Sequence, residues 1–178
     1  MHNFKIVPYV TFDGVPTFRD SDIMAFYDRM ASEGSADVVF SDGSVSNAAH
    51  FLQEMRHHGC WLIVIYYKDE PLGLMWSNRY QDSFAQNHFC CFKKFWGTPQ
   101  IAQAGRIGSL WMIEKLKVPV LLGLVPKSNS AAVTAVVRAG GKVIGELPDG
   151  HTSLVTGIRE PLIILSYQKE GNEDEDIQ

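Results

Sequence analysis

The sequence predicts an α/β fold in which helices cover both faces of a mixed, mostly antiparallel twisted sheet. Three observations support this prediction. Residues 60–95 consist of strand-like apolar runs joined by short polar turns. Segments with apolar residues at helical spacing lie before and after this region. Residues 119–147, "PVLLGLVPKSNSAAVTAVVRAGGKVIGEL", pass from an apolar strand through a polar corner into a small-residue helix and a further strand.

Length and composition indicate one domain. The chain has 178 residues, of which 46% are hydrophobic, and this is enough for a single well-packed core. Since the sequence contains neither an internal repeat nor a shift in composition, we expect one domain over residues 1–168. Residues 169–178, "KEGNEDEDIQ", carry five carboxylates and almost nothing that packs, so we expect an acidic disordered tail.

Charge, cysteine content and hydropathy argue against several classes of protein. The formal net charge of −4 leaves no broad basic surface, so nucleic acid is not an expected partner. Three cysteines do not predict a disulfide framework. No secretion signal and no run of about 18 apolar residues occurs, so we expect a cytoplasmic protein without a membrane partner. His57, His58 and Cys60 lack a second ligand pair at standard spacing, so no metal is expected.

The first third of the chain predicts one strand and two helices. Residues 4–12, "FKIVPYVTF", are β-branched and aromatic, and Pro8 places the strand at a sheet edge. Residues 20–34 have one apolar stripe at helical spacing, with Asp20 and Ser21 as expected caps. Residues 47–59 repeat this pattern over a shorter length, and a glycine ends each helix.

The middle of the chain predicts three antiparallel strands and a long helix. Residues 60–84 contain two apolar runs joined by "KDEP", and residues 87–95, "NHFCCFKKF", form the fourth strand of the expected sheet. Residues 98–118 then have helical spacing, entered through a loop that contains Gly97 and Pro99.

The last third predicts strand, helix, strand, strand. The apolar run "VPVLLGLV" is the fifth strand, and a helix follows from about Ser130 to Ala139. The double glycine at 140–141 is a helix stop with positive φ. "GKVIGEL" and "PLIILSYQ" complete the sheet as its sixth and seventh strands.

This order of elements, together with "LLGLVPKSNSAAVTAVVRAGGKVIGEL", resembles the GNAT N-acyltransferase superfamily over nearly the whole chain. In that family a strand ending near an Asn is followed by a helix and then by a glycine at the next strand. Asn129 and the pair Gly140 and Gly141 occupy these places. The resemblance implies that the fourth and fifth strands splay apart and that acetyl-CoA binds in the V-shaped opening.

The resemblance also implies a cofactor site. An extended pantetheine arm can hydrogen-bond to splayed strands like an added strand, and a pyrophosphate can bind at a helix N-terminus. The family pattern is Gln or Arg, two residues, Gly, one residue, then Gly or Ala, and "QIAQAG" at 100–105 or "QAGRIG" at 103–108 approximates it. We prefer the earlier register. The implied cofactor-binding residues are Phe95, Gly97, Gln100, Gln103, Gly105, Arg106 and Asn129.

Two of these residues have a structural alternative. Asn129 is equally consistent with a helix-capping role, since Asn is a preferred N-cap. Arg106, expected in the first turn after a loop, either meets a CoA phosphate or faces solvent.

The implied chemistry departs from the family pattern. Many relatives carry a Tyr about two turns into the helix after the Asn, where it protonates the departing thiolate, but residues 135–137 here are Ala, Val and Val. Many also use a Glu on the fourth strand, where this sequence offers His88. We therefore expect catalysis by positioning, with the backbone N–H of Cys91 or Phe92 polarising the thioester carbonyl and solvent handling protons. Trp76, Tyr80 and Trp96 lie near the expected acceptor cleft, where they either contact the acceptor or, like most aromatic residues in strands, belong to the core.

Two functions of different classes follow from the resemblance. The first is an N-acetyltransferase in which the amine of a small molecule or peptide attacks acetyl-CoA directly, since no residue stands out as a covalent relay. A homodimer is compatible with it. The second is a catalytically degenerate GNAT-fold binding or assembly module, similar to compact phage and prophage proteins. A Rossmann-type nucleotide binder is less consistent, because no G-x-G-x-x-G follows a strand.

Overall fold

The computed structural model describes residues 3–81 and 83–169, with the side chains of Arg79 and Tyr80 left out. Seven strands form one sheet, and two further residue pairs form a small separate hairpin. The strands are β1 (Phe4–Pro8), β2 (Thr11–Phe12), β3 (Val15–Pro16), β4 (Trp61–Tyr67), β5 (Glu70–Gln81), β6 (Phe84–Cys91), β7 (Val120–Pro126), β8 (Lys142–Thr152) and β9 (Arg159–Gln168). The predicted tail beyond Lys169 and the Tyr80 side chain lie outside the described residues.

The sheet has the order β1-β4-β5-β6-β7-β9-β8. Its pairs are antiparallel except for β6 and β7, which run parallel. Because the β2–β3 hairpin precedes β4, β6 and β7 are the strands predicted as fourth and fifth. The mixed, mostly antiparallel sheet that the sequence predicts is therefore confirmed.

Among residues 3–81 and 83–169, five helices and one short 3-10 turn flank the sheet. They are α1 (Asp20–Ser32), α2 (Ala36–Val39), α3 (Ala48–Met55), the 3-10 turn (Lys93–Phe95), α4 (Pro99–Leu116) and α5 (Ser130–Arg138). The four-residue α2 and the β2–β3 hairpin were not predicted, since neither is long enough to show a period. At the start of α1 the Asp22 carboxylate accepts the backbone N–H of Arg19 at 2.9 Å, so Asp20 and Ser21 lie inside the helix instead of capping it.

Alternation along the central strands builds two cores, one on each face of the sheet. On β5, Leu74 and Trp76 point towards α1 and α3, where they pack with Ile23 and Phe51. The intervening Met75 points towards α4 on the opposite face. The helices therefore cover both faces, as the sequence predicts.

Local backbone geometry explains the tight β4–β5 connection. Lys68 and Asp69 both have positive φ, of 49° and 64°. Two successive residues with positive φ are typical of the turn whose twist matches an antiparallel hairpin. Among the described residues, no helix combines the length and the hydropathy that crossing a membrane requires.

Candidate functional site

The parallel strands β6 and β7 pair only at their first residues. The register runs Phe84 with Val120, Ala85 with Leu121 and Gln86 with Leu122, and strand pairing ends there. On its other edge β7 stays paired with β9 as far as Pro126. The two strands therefore part after Gln86 and Leu122, as the resemblance implied, and leave an opening inside the sheet.

This opening, called the cleft below, has a volume of about 650 Å³. It extends from the start of α4 to the opposite face of the sheet, where α2 contributes Val38 and Val39. The main lining segments are residues 87–91 of β6, 96–99 before α4, 123–126 of β7 and 129–132 of α5. The cleft therefore gives two ligands access to one point from opposite faces of the sheet.

The backbone of β6 presents a row of polar groups to the cleft. The N–H of Phe92 donates to the carbonyl O of Leu72 at 2.9 Å, on the β5 side. Since backbone groups alternate in direction along an antiparallel strand, those of Asn87, Phe89 and Cys91 point away from β5. The Asn87 N–H belongs to the last hydrogen bond with β7, and the groups of Phe89 and Cys91 face the cleft. The expectation that the Phe92 N–H polarises a thioester is therefore wrong, because this group belongs to the sheet, whereas the Cys91 N–H has the required direction.

The N-terminus of α4 lies at the mouth of the cleft. The backbone of Thr98 is extended, its hydroxyl donates to the Phe95 carbonyl at 2.7 Å, and Pro99 is the first helical residue. Gly97, at a φ of 74°, turns the chain into this helix. The first N–H groups of a helix have no acceptor within it, so this end can bind an anion. Gln100 lies in this first turn, half buried.

Two of the predicted phosphate-binding residues lie further along α4 than expected. Because Pro99 fits the first helical position, the helix begins before "QIAQAG" and not after it. Gln103 is in the second turn and lines a shallow depression with Phe4 and Trp111, and Arg106 is exposed in the third turn. The structure does not bring these two side chains to the cleft.

Gly105 and Phe95 have structural roles beside the cleft. A Cβ atom on Gly105 would lie 3.2 Å from the Cβ of Ala139, so the glycine allows α4 to approach the end of α5. Gly105 also lines the cleft. Phe95 is buried and packs edge-on against Tyr67, with centroids 6.4 Å apart.

Asn129 caps α5 and lines the cleft. Its Oδ1 accepts the N–H of Ala132 at 3.2 Å, in the geometry of an N-cap. The capping alternative is therefore confirmed. Ala132 and Ala135, also at the cleft, keep the helix surface small.

His88 faces the α2 side of the cleft and is held by two neighbours. Its Nε2 lies 3.1 Å from the Oδ1 of Asn78, within hydrogen-bonding distance. Trp76 lies beneath the imidazole and is 2% exposed, packed on Phe40. Of the two alternatives for Trp76, the structure supports the core position, because the indole is buried there.

The thiols near the cleft are poor nucleophiles. Burial raises the pKa of Cys90 and that of Cys91 to about 12 each, so both are protonated at neutral pH. The Cys91 Sγ also lies 3.4 Å from the carbonyl O of Phe92. Within residues 3–81 and 83–169, no three side chains of the types that ligate metals come together.

Two parts of the site could not be predicted from the sequence. Ser35, Val38 and Val39 reach the cleft from a helix that is too short for a periodic signal. Trp96 lies at the mouth of the cleft beside α4, and not at the acceptor side where the sequence placed it. The direction of the Trp96 side chain depends on the preceding 3-10 turn, which no residue pattern predicts.

The sequence matches no protein-family model and no curated protein. The structure is nevertheless similar to solved acetyltransferases. A spermidine N-acetyltransferase from Vibrio cholerae, in complex with CoA and spermine, is 9% identical over 93% of this chain and 95% of its own, with a TM-score of 0.73. A GNAT-family acetyltransferase from Bacillus anthracis is 9% identical, with coverage of 96% and 97% and a TM-score of 0.72. The ribosomal-protein-S5-alanine acetyltransferase from Vibrio fischeri is 11% identical, with coverage of 96% and 95% and a TM-score of 0.68. At these identities the likeness shows the fold alone, and the chain has the GNAT fold.

Proposed function

We propose that this protein transfers an acetyl group from acetyl-CoA to an amine, by direct attack of the amine on the thioester. The observation that carries the proposal is the parting of β6 and β7 after Gln86 and Leu122. It opens a cleft between two sheet faces, so a thioester and an amine can meet inside the protein. Placing two reactants side by side supplies much of the rate enhancement in such a transfer.

The cleft fits the two chemical parts of acetyl-CoA that need a protein partner. The N-terminus of α4 offers backbone N–H groups for the pyrophosphate, with Gly97 leaving the approach open. The cleft-facing backbone groups of Phe89 and Cys91, with the carbonyl of Asn87, offer a strand edge for the amides of the pantetheine arm.

Backbone N–H groups of β6 polarise the thioester carbonyl in this proposal. The N–H groups of Phe89 and Cys91 point into the cleft and belong to a rigid strand, so they need no rearrangement as negative charge develops on the oxygen. The amine nitrogen forms a bond to the carbonyl carbon, the bond from that carbon to sulfur breaks, and the thiolate leaves as CoA.

His88 is the proposed proton acceptor for the attacking amine. It lies on the α2 face, opposite the core that α4 covers, where Asn78 and Trp76 orient its ring. The departing thiolate takes its proton from solvent, since the cleft-lining Ala135 and Val136 offer no acid.

The proposed acceptor is the amine of a small molecule or of a peptide. The two named neighbours act on spermidine and on an alanine of ribosomal protein S5. We therefore propose a panel that contains both polyamines and peptides with a free N-terminus. A homodimer and a cytoplasmic location stay predictions.

Calorimetric titration with acetyl-CoA, desulfo-CoA and NADH tests the proposal. We expect binding of both CoA species and none of NADH. Ala135→Trp fills the cleft and should abolish CoA binding, whereas Ala31→Trp, exposed on α1, should leave it unchanged. If acetyl-CoA does not bind, or if Ala135→Trp binds it as tightly as the parent chain, the proposal is wrong.

A binding module without turnover is the second candidate. It is favoured by the Ala, Val and Val at 135–137, where many relatives have a catalytic Tyr. CoA binding without acetylation of any amine in the panel would support this candidate over the first.

A further inference from the structure

The indole of Trp96 occupies a backbone acceptor in the mouth of the cleft. Its Nε1 donates to the carbonyl O of Cys91 at 2.8 Å. The 3-10 turn at residues 93–95 reverses the chain, so the side chain of Trp96 reaches back to Cys91 at the end of β6. Trp96 lines the cleft and is 47% exposed, so the ring is not fixed by burial.

The carbonyl that Trp96 occupies belongs to the cleft-facing row. The Cys91 backbone points away from β5, and β7 has already turned away at Leu122. A ligand that lies along β6 like an added strand would hydrogen-bond to this carbonyl through an amide N–H. An indole N–H is a donor only, so Trp96 supplies the bond that such a ligand would otherwise make.

We propose that Trp96 is a gate of the cleft, closed while its indole donates to Cys91 and released when a pantetheine arm binds along β6. This inference rests on the proposed function. The adjoining Gly97, with a φ of 74°, joins the gate to α4 and gives the backbone at this point more freedom than another residue would.

The gate makes CoA binding weaker than the cleft alone would allow. Release exchanges one neutral hydrogen bond for another, so the bond to Trp96 is lost each time the arm binds. A bond of this kind changes an equilibrium by about two- to tenfold. Removing only the indole N–H should therefore strengthen binding by that factor.

Titration of CoA into the parent chain, Trp96→Phe and Trp111→Phe tests the gate. Trp96→Phe keeps an aromatic ring and removes the donor, and we expect it to bind CoA about two- to tenfold more tightly. Trp111 lies on α4 away from the cleft, and Trp111→Phe should bind CoA as tightly as the parent chain does. Adenosine 3′,5′-bisphosphate, which lacks the pantetheine arm, should bind the parent chain and Trp96→Phe equally.

The outcomes separate the gate from the proposed function. Equal or weaker CoA binding by Trp96→Phe, with the parent chain still binding, overturns the gate and leaves the function standing. If Trp96→Phe also binds the bisphosphate more tightly than the parent chain does, the gate is overturned, because Trp96 would then obstruct the phosphate end of the cleft. If no variant binds CoA, the proposed function fails.

Discussion

The imidazole of His88 lies parallel to the indole of Trp76, with ring centroids 5.1 Å apart and an interplanar angle of 6°. The two residues are direct partners in the β5–β6 register. Trp76 is itself wedged among Phe40 and Phe51, and Asn78 holds the edge of the imidazole. The orientation of the His88 ring is therefore determined by the core beneath it, before any ligand arrives.

Replacing His88 should lower turnover without affecting cofactor affinity. His88→Gln removes the proposed proton acceptor, and loss of a general base typically costs a factor of about 100 or more in kcat. The KM for acetyl-CoA should change little, since the side chain lies on the acceptor face. Steady-state kinetics with a responsive amine measures both constants.

The matched control for this variant is His50→Gln, on the surface of α3 beside Glu54. It should leave kcat unchanged. If His88→Gln retains parent turnover and the parent pH profile, solvent and not His88 takes the amine proton.

Gly73→Ala should destabilise the sheet beside the cleft. A Cβ atom there would lie 2.4 Å from the carbonyl O of Cys90 and 3.0 Å from the Cα of Cys91, and neither backbone atom can move without displacing β6. Overpacking of this kind lowers the free energy of unfolding by about 1–3 kcal/mol. Denaturant unfolding followed by circular dichroism measures the change.

Gly123→Ala on β7 is the matched control for Gly73→Ala. Its Cβ atom would meet the Leu165 Cβ at 3.6 Å, an ordinary contact distance. We expect its free energy of unfolding to stay within about 0.5 kcal/mol of the parent value. Equal effects of the two substitutions would contradict the close approach at Gly73.

Substitutions at Asn129 separate helix capping from ligand contact. Asn129→Ala removes the acceptor of the Ala132 N–H and should lower the free energy of unfolding by about 1 kcal/mol. Asn129→Ser keeps a capping oxygen and should restore most of that loss. Thermal or denaturant unfolding checks both values, and an Asn129→Ala chain of parent stability would refute the cap.

The CoA affinities of the same two variants show whether Asn129 also contacts the ligand. If Asn129→Ser restores stability but still binds CoA more weakly than the parent, the Asn side chain also contacts the ligand. If Asn129→Ser binds CoA as tightly as the parent chain does, Asn129 acts only as a helix cap.

The three cysteines should resist thiol reagents in the folded protein. Burial raises the pKa of Cys60, Cys90 and Cys91 to about 12 each, and only the thiolate form attacks a thiol reagent. Since a raised pKa keeps the thiol protonated at every pH well below it, reaction with an aromatic disulfide should be slow at neutral and mildly alkaline pH. Unfolding in guanidinium should release all three thiols, and rapid labelling of the native chain would disprove the burial.

Local sequence patterns were sufficient for most of the fold. Apolar runs joined by short polar turns predicted β4, β5 and β6, and helical spacing predicted α1 and α4. The site was harder to predict from the sequence. Trp76 has the same strand-aromatic pattern as a ligand contact, and only its packing on Phe40 shows that it is core. Gln103 satisfies a motif by spacing, but the helix that begins at Pro99 turns it to a different face.

The sequence by itself determined the longer helices, the strands of the large sheet, their order and the helix stop at Gly140, whose φ is 102°. These features depend on residues within one or two turns of each other, so a short stretch of sequence contains their cause. Only the tertiary structure decided where β6 and β7 part, that Phe92 donates to Leu72, and that Trp96 reaches Cys91. Strand pairing and side-chain direction depend on contacts between distant segments, and no local pattern encodes which backbone groups those contacts leave for a ligand.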